Sequence, residues 1–255
     1  MFTSTLDLSK EFAGRRALVT GGTRGIGAAI AQSLLDAGAE VVITSRNPYD
    51  GMPAGATYIK GDLLTVEGTK AVATQTLETL GGLDILVNNA AAARLILPGS
   101  EAITDAEWLE TLASNLLSAV RLTNALLPSL RQSKAASIVN ISSGSAQPGP
   151  GPLVHYGSSK AALNYYSNSL AKELAPAGIR VNVVTPGGVV TPGGDVIRNQ
   201  MLAAMGAPPE AAASMVPLGR LGVPEDISEM VAFLLSERAS WITGQNFHIN
   251  GGLQF

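Results

Sequence analysis

Residues 17–27 read Ala-Leu-Val-Thr-Gly-Gly-Thr-Arg-Gly-Ile-Gly, a short apolar run that enters a glycine-rich turn. The apolar run predicts a strand that is buried on both faces of a parallel sheet. Ile26, Ile30 and Leu34 follow at intervals of four, which predicts an amphipathic helix, and Gly38 would end it. The next apolar run, residues 41–44, predicts a second strand. Together these elements predict a βαβ unit whose first turn is rich in glycine.

The glycine turn is a candidate site for a dinucleotide cofactor. Glycines permit a sharp turn and let main-chain N–H groups approach a pyrophosphate, whose charge is favoured at a helix N-terminus. The spacing from Gly21 to Gly27 is Gly-x3-Gly-x-Gly, which differs from the commoner Gly-x-Gly-x2-Gly. A tight loop without a ligand is the alternative, but the position between a strand and a helix favours the cofactor.

The end of the second strand bears on which cofactor is bound. An acidic residue there would select NAD, whereas a basic residue accommodates the 2′-phosphate of NADP. The strand ends in Thr44-Ser45-Arg46, without a carboxylate, and Arg24 lies within the glycine turn. A hydroxyl and two guanidinium groups suit a phosphate, so the sequence predicts NADP(H) rather than NAD(H). The alternative is that both arginines are solvated surface charges.

Strand and helix patterns alternate along the rest of the chain. Apolar runs predict further strands at 57–60, 83–89, 137–143, 180–184 and 245–249. Helical patterns cover about 66–80, 104–130, 156–174 and 224–235. Prolines and glycines leave no room for a helix in residues 47–55, and they predict a lid or a long loop over about 188–222. No linker or repeat divides the chain, so we expect one domain over residues 1–255.

The composition narrows the classes of function. Apolar residues make up 46% of the chain and charged residues 15%, which indicates a large core rather than disorder. A formal charge of −3 without a basic cluster argues against a nucleic-acid partner. The chain has no cysteine and two histidines, which argues against a metal site. Without a long apolar stretch or a secretory leader, we expect a cytoplasmic protein with no membrane partner.

Tyr156 and Lys160 are four residues apart in a predicted helix, so their side chains share one face. A free tyrosine has a pKa of about 10. An adjacent ammonium is expected to lower that pKa towards the range that suits a general acid or base. Ser143, at the end of a predicted strand, could hold a substrate carbonyl while Tyr156 donates a proton to it. For the pair alone, an exposed helical pair without function is the alternative.

The chain is similar to the short-chain dehydrogenase/reductase family almost from end to end. The matching motifs, in the family's order and spacing, are Thr20-Gly21-x3-Gly25-Ile26-Gly27, Asn88-Asn89-Ala90, Asn115, Ser143, Tyr156-x3-Lys160, Pro186-Gly187 and Gly219-Arg220. The resemblance implies an α/β, Rossmann-type, doubly wound parallel sheet of seven strands in the order 3-2-1-4-5-6-7, with helices on both faces. It also implies hydride transfer between a nicotinamide cofactor and a carbonyl or alcohol, and a homotetramer or homodimer.

The resemblance further implies roles for individual residues. Tyr156 would exchange the proton, Ser143 would orient the reacting oxygen, and Lys160 would lower the pKa of Tyr156 and hold the nicotinamide ribose. Asn115 would anchor a water that connects Lys160 to solvent. Besides Tyr156 and Lys160, the expected cofactor contacts are Gly21, Thr23, Arg24, Gly25, Ile26, Gly27, Ser45, Arg46, Asp62, Leu63, Asn89, Ala90, Ala91, Pro186, Gly187, Val189 and Thr191. The expected substrate contacts are Ser143, Ser145, Leu153, Tyr156 and Gly188.

The sequence departs from the family pattern at three places. Ala91 replaces the usual glycine and adds a methyl group close to the cofactor wall. The helix normally found between strands two and three is reduced to the segment 47–55, which opens the adenine side. Asn250 replaces the common aspartate before the terminal glycines, a change that is expected to affect packing.

Three functions remain open at this point. The expected walls of the substrate cleft are mostly small or apolar, which predicts an NADP(H)-dependent reductase of a small, mostly apolar ketone or secondary alcohol. The first alternative is a 3-oxoacyl-[acyl-carrier-protein] reductase, which would want a basic docking surface, with Arg121, Arg131 and Lys134 as candidates. The second is a non-catalytic protein that senses NADP(H). His155 would either contact a polar group of the substrate or face outward.

Overall fold

The structure is a computed structural model that describes residues 7–149 and 151–253. Its seven strands form one sheet in the order β3-β2-β1-β4-β5-β6-β7, and every neighbouring pair is parallel. The strands are β1 (Arg16–Thr20), β2 (Glu40–Ser45), β3 (Thr57–Lys60), β4 (Ile85–Asn88), β5 (Ser137–Ile141), β6 (Arg180–Pro186) and β7 (Asn246–Ile249). The predicted fold class and strand order are therefore confirmed.

Helices cover both faces of this sheet. They are α1 (Gly25–Asp36), α2 (Val66–Leu80), α3 (Asp105–Leu112), α4 (Ser118–Leu130), α5 (Val154–Leu174), α6 (Pro192–Ala204), α7 (Ala211–Ser214) and α8 (Pro224–Leu235). Successive side chains of a strand point to opposite faces, so Val19 packs with α1 and α8 whereas Leu18 packs with α2, α4 and α5. The inner strands β1, β2, β4, β5 and β6 are buried on both faces because a layer of helices covers each face of the sheet.

The predicted helix over residues 104–130 is divided in the structure. Thr104 begins α3 with a capping box, in which its side chain accepts from the Glu107 N–H and the Glu107 carboxylate accepts from the Thr104 N–H. Residues Ala113–Leu117 then form one π-helical turn before α4 begins. Such single turns are often found at functional positions, and this one contains Asn115.

Two segments, residues 47–55 and 188–222, are rich in proline and glycine, and only the second contains a helix. As predicted, the connection between β2 and β3 contains no helix. The long-loop prediction for residues 188–222 is wrong over residues 192–204, where α6 forms. Thr191 caps this helix by accepting from the Gly194 N–H at 3.0 Å, and Pro192 occupies the first turn, where a missing N–H costs nothing.

The carboxyl ends of the strands place the predicted site residues at one edge of the sheet. The strand order reverses between β1 and β4, and ligands of open α/β sheets bind in the crevice outside such a point. Residues that follow β1, β4, β5 and β6 meet there. Within the described residues, no helix is long and apolar enough to cross a membrane.

Candidate active site

Ser143 and Tyr156 meet where α5 crosses the end of β5. The strand ends at Ile141, so Ser143 lies beyond it, and its hydroxyl accepts from the Ser145 N–H at 3.2 Å in a short turn. Gly157 allows α5 to approach that turn, because a Cβ at this position would lie 2.3 Å from the Ser145 carbonyl oxygen. The Ser143 hydroxyl lies near enough to the Tyr156 hydroxyl to lower the pKa of that phenol.

Lys160 lies behind Tyr156 and is 2% exposed. Its ammonium donates to the Ile141 carbonyl oxygen at 2.8 Å and lies 6.0 Å from the centre of the Tyr156 ring. Burial disfavours the charged form of a lysine, and it lowers the pKa of Lys160 from 10.5 to about 8. The site thus holds a cation that titrates close to physiological pH.

The predicted lowering of the Tyr156 pKa is not observed. Burial raises the pKa of this phenol above its usual value of 10.0, and the hydrogen bond from Ser143 opposes that rise only in part. The Lys160 ammonium donates to the Ile141 carbonyl rather than to the phenolic oxygen, and it does not offset the effect of burial on Tyr156. Tyr156 is therefore a protonated phenol at neutral pH, which suits a proton donor.

Asn115 fastens the loop after β4 to the π-helical turn. Its amide nitrogen donates to the Ala92 carbonyl at 2.9 Å, and its amide oxygen accepts from the Ala92 N–H at 2.8 Å. Both side-chain groups are thus used, and the residue is buried. The water relay implied for Asn115 stays a prediction, and it would have to use the main-chain carbonyl.

The glycine turn has the shape and the donors that a pyrophosphate requires. Gly21 and Gly25 have φ angles of 64° and 57°, a left-handed conformation that favours glycine. Gly27 packs against the turn so closely that a Cβ would lie 2.2 Å from the Gly21 carbonyl oxygen. Arg24 precedes α1 without a side-chain cap, so the first N–H groups of the helix remain available to an anion.

Thr20 holds the glycine turn beside the end of β4. Its hydroxyl accepts from the N–H groups of Asn89 and Ala90, each at 2.9 Å, and donates to the Val87 carbonyl. The Asn89 amide donates to the Thr20 carbonyl at 2.9 Å. The predicted contacts Asn89 and Ala90 are consequently adjacent to the turn, whereas the side chain of Ala91 is exposed.

The candidate phosphate site at the end of β2 is open. The Ser45 hydroxyl donates to the Asn47 carbonyl at 2.5 Å, and Arg46 is exposed. The Arg24 guanidinium lies 5.5 Å from the centre of the Tyr49 ring. Within the described part of the chain, neither arginine forms an ion pair, and their contact with a phosphate stays a prediction. Tyr49 was not predicted; its signal was a lone aromatic residue in the segment that replaces a helix.

The remaining cofactor candidates follow β3 and β6. Thr191 lies against the glycine turn, since a Cβ at Gly25 would be 3.3 Å from its methyl group. Val189 is buried and forms a parallel bridge with Gly222. Asp62 is exposed and accepts from the Leu64 N–H at 3.1 Å. Of the other members of the set, Thr23 is buried, while Ile26, Leu63 and Gly187 are half-buried and Pro186 ends β6.

The predicted substrate contacts Ser145, Leu153 and Gly188 are all half-buried. The outward-facing alternative for His155 is wrong because the residue is buried against α3, and its contact with a substrate stays a prediction. Its ring packs edge-to-face on Trp108 at 6.1 Å between centres, and its Nδ1 has no hydrogen-bond partner. Burial lowers the pKa of His155 and keeps it neutral, although Glu107 acts in the opposite direction.

Comparison with known proteins agrees with this geometry. The family model described as Enoyl-(Acyl carrier protein) reductase matches residues 21–254. A 3-oxoacyl-[acyl-carrier-protein] reductase of Haemophilus influenzae is 39% identical over 249 residues, which are 94% of this chain and 98% of that protein. This chain belongs to the short-chain dehydrogenase/reductase family. The Escherichia coli protein of the same name is 37% identical over 252 residues, 95% of this chain and 98% of the relative.

Solved structures of this family resemble the chain over nearly its whole length. The ligand-free aldohexose dehydrogenase of Thermoplasma acidophilum has a TM-score of 0.85 at 30% identity and covers 96% of both chains. A putative short-chain dehydrogenase/reductase of Burkholderia xenovorans has a TM-score of 0.86 at 27% identity, covering 95% of this chain and 97% of that one. The family prediction is confirmed, and the chain is an oxidoreductase of this family. Among residues 7–149 and 151–253, no three His, Cys, Asp or Glu side chains cluster as a metal ion would require.

Proposed function

We propose that this protein reduces the 3-oxo group of an acyl thioester with NADPH, and that Tyr156 donates the proton. The observation that carries the proposal is that Ser143 acts on the Tyr156 phenol beside a buried lysine, so that all three residues meet at one place. The thioester substrate is supported by the names of the relatives, which are 3-oxoacyl-[acyl-carrier-protein] reductases. The sequence pointed first to a simple ketone, and the relatives favour the thioester alternative instead.

NADPH, when bound, would supply the hydride. The glycine turn and the N-terminus of α1 would hold its pyrophosphate, because the first N–H groups of α1 have no side-chain cap and a Cβ in the turn would fill the space. Arg24 and Arg46 would hold the 2′-phosphate, since both guanidinium groups lack an ion-pair partner in the described chain. Asn89, Ala90 and Thr191 lie around the same turn and would complete the binding site.

Residues of the protein would position the substrate carbonyl and donate the proton to it. The Ser143 hydroxyl would hydrogen-bond to the substrate carbonyl oxygen and fix it against Tyr156. The raised pKa of Tyr156 keeps its proton in place until the carbonyl oxygen becomes basic. Once the proton has left, the Lys160 ammonium, 6.0 Å from the centre of the Tyr156 ring, would stabilise the phenolate.

Replacement of Tyr156 by phenylalanine tests this proposal. Loss of a positioned general acid typically lowers the rate by about 10²- to 10⁴-fold, so Tyr156→Phe should lose that much turnover with an acetoacetyl thioester and NADPH. The assay follows the absorbance of NADPH, and NADPH binding by fluorescence serves as the control for folding. A variant that keeps turnover within about tenfold of the parent contradicts the assigned role of Tyr156.

A small, mostly apolar ketone or secondary alcohol is the second candidate substrate. One of the three predicted docking residues is already engaged, because Arg121 donates to the Leu64 carbonyl at 2.9 Å. The basic docking surface is thereby reduced to Arg131 and Lys134. A carrier-protein thioester assayed against simple ketones separates the two candidates by their relative kcat/KM. Binding of NADPH without turnover of any carbonyl would favour the non-catalytic alternative.

The preference for NADPH has its own test. Arg46→Glu should weaken NADPH more than NADH, because a carboxylate repels the 2′-phosphate but accepts the free ribose hydroxyl. Fluorescence titration with both cofactors measures the change. A parent protein that already prefers NADH would show that Arg24 and Arg46 do not bind a phosphate.

We also propose a homotetramer and a substrate lid over residues 188–222. Large apolar side chains are exposed at Tyr165 and Trp241, which are 78% and 98% exposed, and association would bury them. The lid contains α6 and exposes Val196 and Met205 beside the cleft. Light scattering after gel filtration tests the tetramer, and protease protection by NADPH within residues 188–222 tests the lid.

A further inference from the structure

Arg94 is a charged residue on the loop between β4 and α3, and the proposed reaction does not yet use it. Its side chain is 75% exposed, and its guanidinium lies 3.2 Å from the Glu107 carboxylate. The residues around it in the loop are alanines and aliphatic residues. Arg94 is therefore the cation that this loop presents to solvent.

Two contacts hold this loop beside the proposed reaction centre. Ala92 is clamped by Asn115, which lines a narrow crevice together with Lys160. Farther along, the Ile96 N–H donates to the Pro152 carbonyl at 3.1 Å, just before α5 begins. Because Arg94 lies between these two attachments, it is held near the first turn of α5, where Tyr156 is located.

The electrostatic surroundings of His155 agree with this position of the guanidinium. The pKa of His155 is affected by Glu107 and by Arg94, which places both charges within electrostatic range of the residue that precedes Tyr156. His155 itself is buried and its lowered pKa keeps it neutral, so it adds no positive charge. Lys160 is directed at the Ile141 carbonyl instead. Of these three residues, Arg94 is thus the one that presents a positive charge to solvent.

The two partners of the ion pair differ in exposure and in their other contacts. Glu107 is 22% exposed, and one of its oxygens caps α3 through the Thr104 N–H and hydroxyl, each at 3.0 Å. Its other oxygen faces Arg94. An exposed ion pair of this kind contributes little stability, so the guanidinium can turn to a new anion while the carboxylate stays on its helix.

We propose that Arg94 exchanges Glu107 for an anionic group on the tail of the substrate, and that the protein thereby selects carbonyl compounds that carry a phosphate or a carboxylate. This inference rests on the proposed function, because it concerns the substrate of the same site. Guanidinium groups bind phosphate and carboxylate through paired hydrogen bonds. The Glu107 carboxylate competes with the substrate anion and so tunes its affinity.

A matched pair of thioesters tests the phosphate. S-acetoacetyl-pantetheine and S-acetoacetyl-4′-phosphopantetheine differ only in one phosphate, and 4-oxopentanoate with its methyl ester forms the corresponding carboxylate pair. We expect the parent to have the lower KM for the charged member of at least one pair. Arg94→Gln should raise that KM by about tenfold, the effect of losing one charge-assisted contact, and should leave the neutral member unchanged.

Glu107→Gln should change the KM for charged compounds in the direction opposite to Arg94→Gln. Glutamine can still cap α3 at the Thr104 N–H, but it no longer attracts Arg94, so the KM for the charged compound should fall. Arg94→Lys should restore part of the selectivity, because it retains the charge. Added salt should raise the KM of the charged compound in the parent and have little effect in Arg94→Gln.

The outcomes separate this inference from the proposed function. If the parent reduces both thioesters and both oxopentanoates with a KM that does not depend on residue 94, this inference fails alone. The same holds if Arg94→Gln raises the KM of neutral and charged compounds equally. If the parent reduces none of the four compounds, the proposed function fails, and this inference fails with it.

Discussion

The burial of Lys160 predicts a stability that depends on pH in a defined window. The pKa of this residue falls from 10.5 in the unfolded chain to about 8 in the folded protein. Each pKa unit corresponds to about 1.4 kcal/mol, so the charged ammonium lowers the free energy of unfolding by about 3 kcal/mol at neutral pH. Between pH 8 and 10.5 the unfolded chain binds more protons than the folded protein, and stability therefore rises with pH.

Lys160→Met isolates this contribution, because the other titrating groups are common to both proteins. Relative to Lys160→Met, the parent should gain about 2.5 kcal/mol of unfolding free energy between pH 7 and pH 10. At pH 7 the variant should be as stable as the parent or more stable, since removal of the buried charge outweighs the unpaired Ile141 carbonyl, which costs about 1–3 kcal/mol. Urea unfolding of both proteins without cofactor, at several pH values, measures the difference.

The pH dependence of the difference in unfolding free energy between the parent and Lys160→Met decides whether the prediction holds. A parent-minus-variant difference that stays flat from pH 7 to pH 10 would show that the Lys160 ammonium is not desolvated in the folded protein. A difference that changes below pH 7 would assign the titration to another group. The catalytic rate of the variant should fall in either case, so stability and activity must be measured separately.

Three further predictions concern other parts of the chain. Gly27→Ala should abolish NADPH binding in a titration, because its Cβ would lie 2.2 Å from the Gly21 carbonyl oxygen. The rate of alcohol oxidation should rise from pH 7 to 9 while carbonyl reduction does not, because oxidation requires the phenolate of Tyr156, whose pKa is raised. Burial alone would raise the pKa of Asp84, but hydrogen bonds from Arg16 and Ser133 hold it at about 2. Asp84→Asn should therefore cost about 2 kcal/mol at neutral pH, and that difference should vanish in urea unfolding as the pH falls from 4 to 2.

Local sequence patterns were sufficient to predict most of the strands and helices. Apolar runs and their spacing predicted all seven strands to within a few residues at either end. The five inner strands β1, β2, β4, β5 and β6 are buried on both faces and therefore consist of nearly continuous apolar stretches. The helices at 66–80 and 224–235 have the predicted bounds. Helix α6 was missed although Thr191 and Pro192 are local start signals, because two glycines follow them and lowered the apparent helix propensity.

Long-range contacts account for what the sequence could not predict. The burial of His155 depends on Trp108, which is far away in the chain. Arg121 was a candidate docking residue until its contact with the Leu64 carbonyl on a different segment was known. The ammonium of Lys160 could be placed near Tyr156 from their spacing, but its direction depends on the end of β5. Spacing fixes which side chains share a face; it does not fix their hydrogen-bond partners or their pKa values.

The opposite pKa shifts of Tyr156 and Lys160 have one cause and a catalytic consequence. Burial disfavours the phenolate and the ammonium when each is considered alone, so it raises the pKa of the tyrosine and lowers that of the lysine. When Tyr156 gives up its proton, a negative charge forms near the ammonium, and opposite charges attract strongly in a medium of low dielectric constant. The attraction is absent before the proton moves and present afterwards. Lys160 would thus stabilise the transition state more than the bound substrate, which is what raises a rate rather than an affinity.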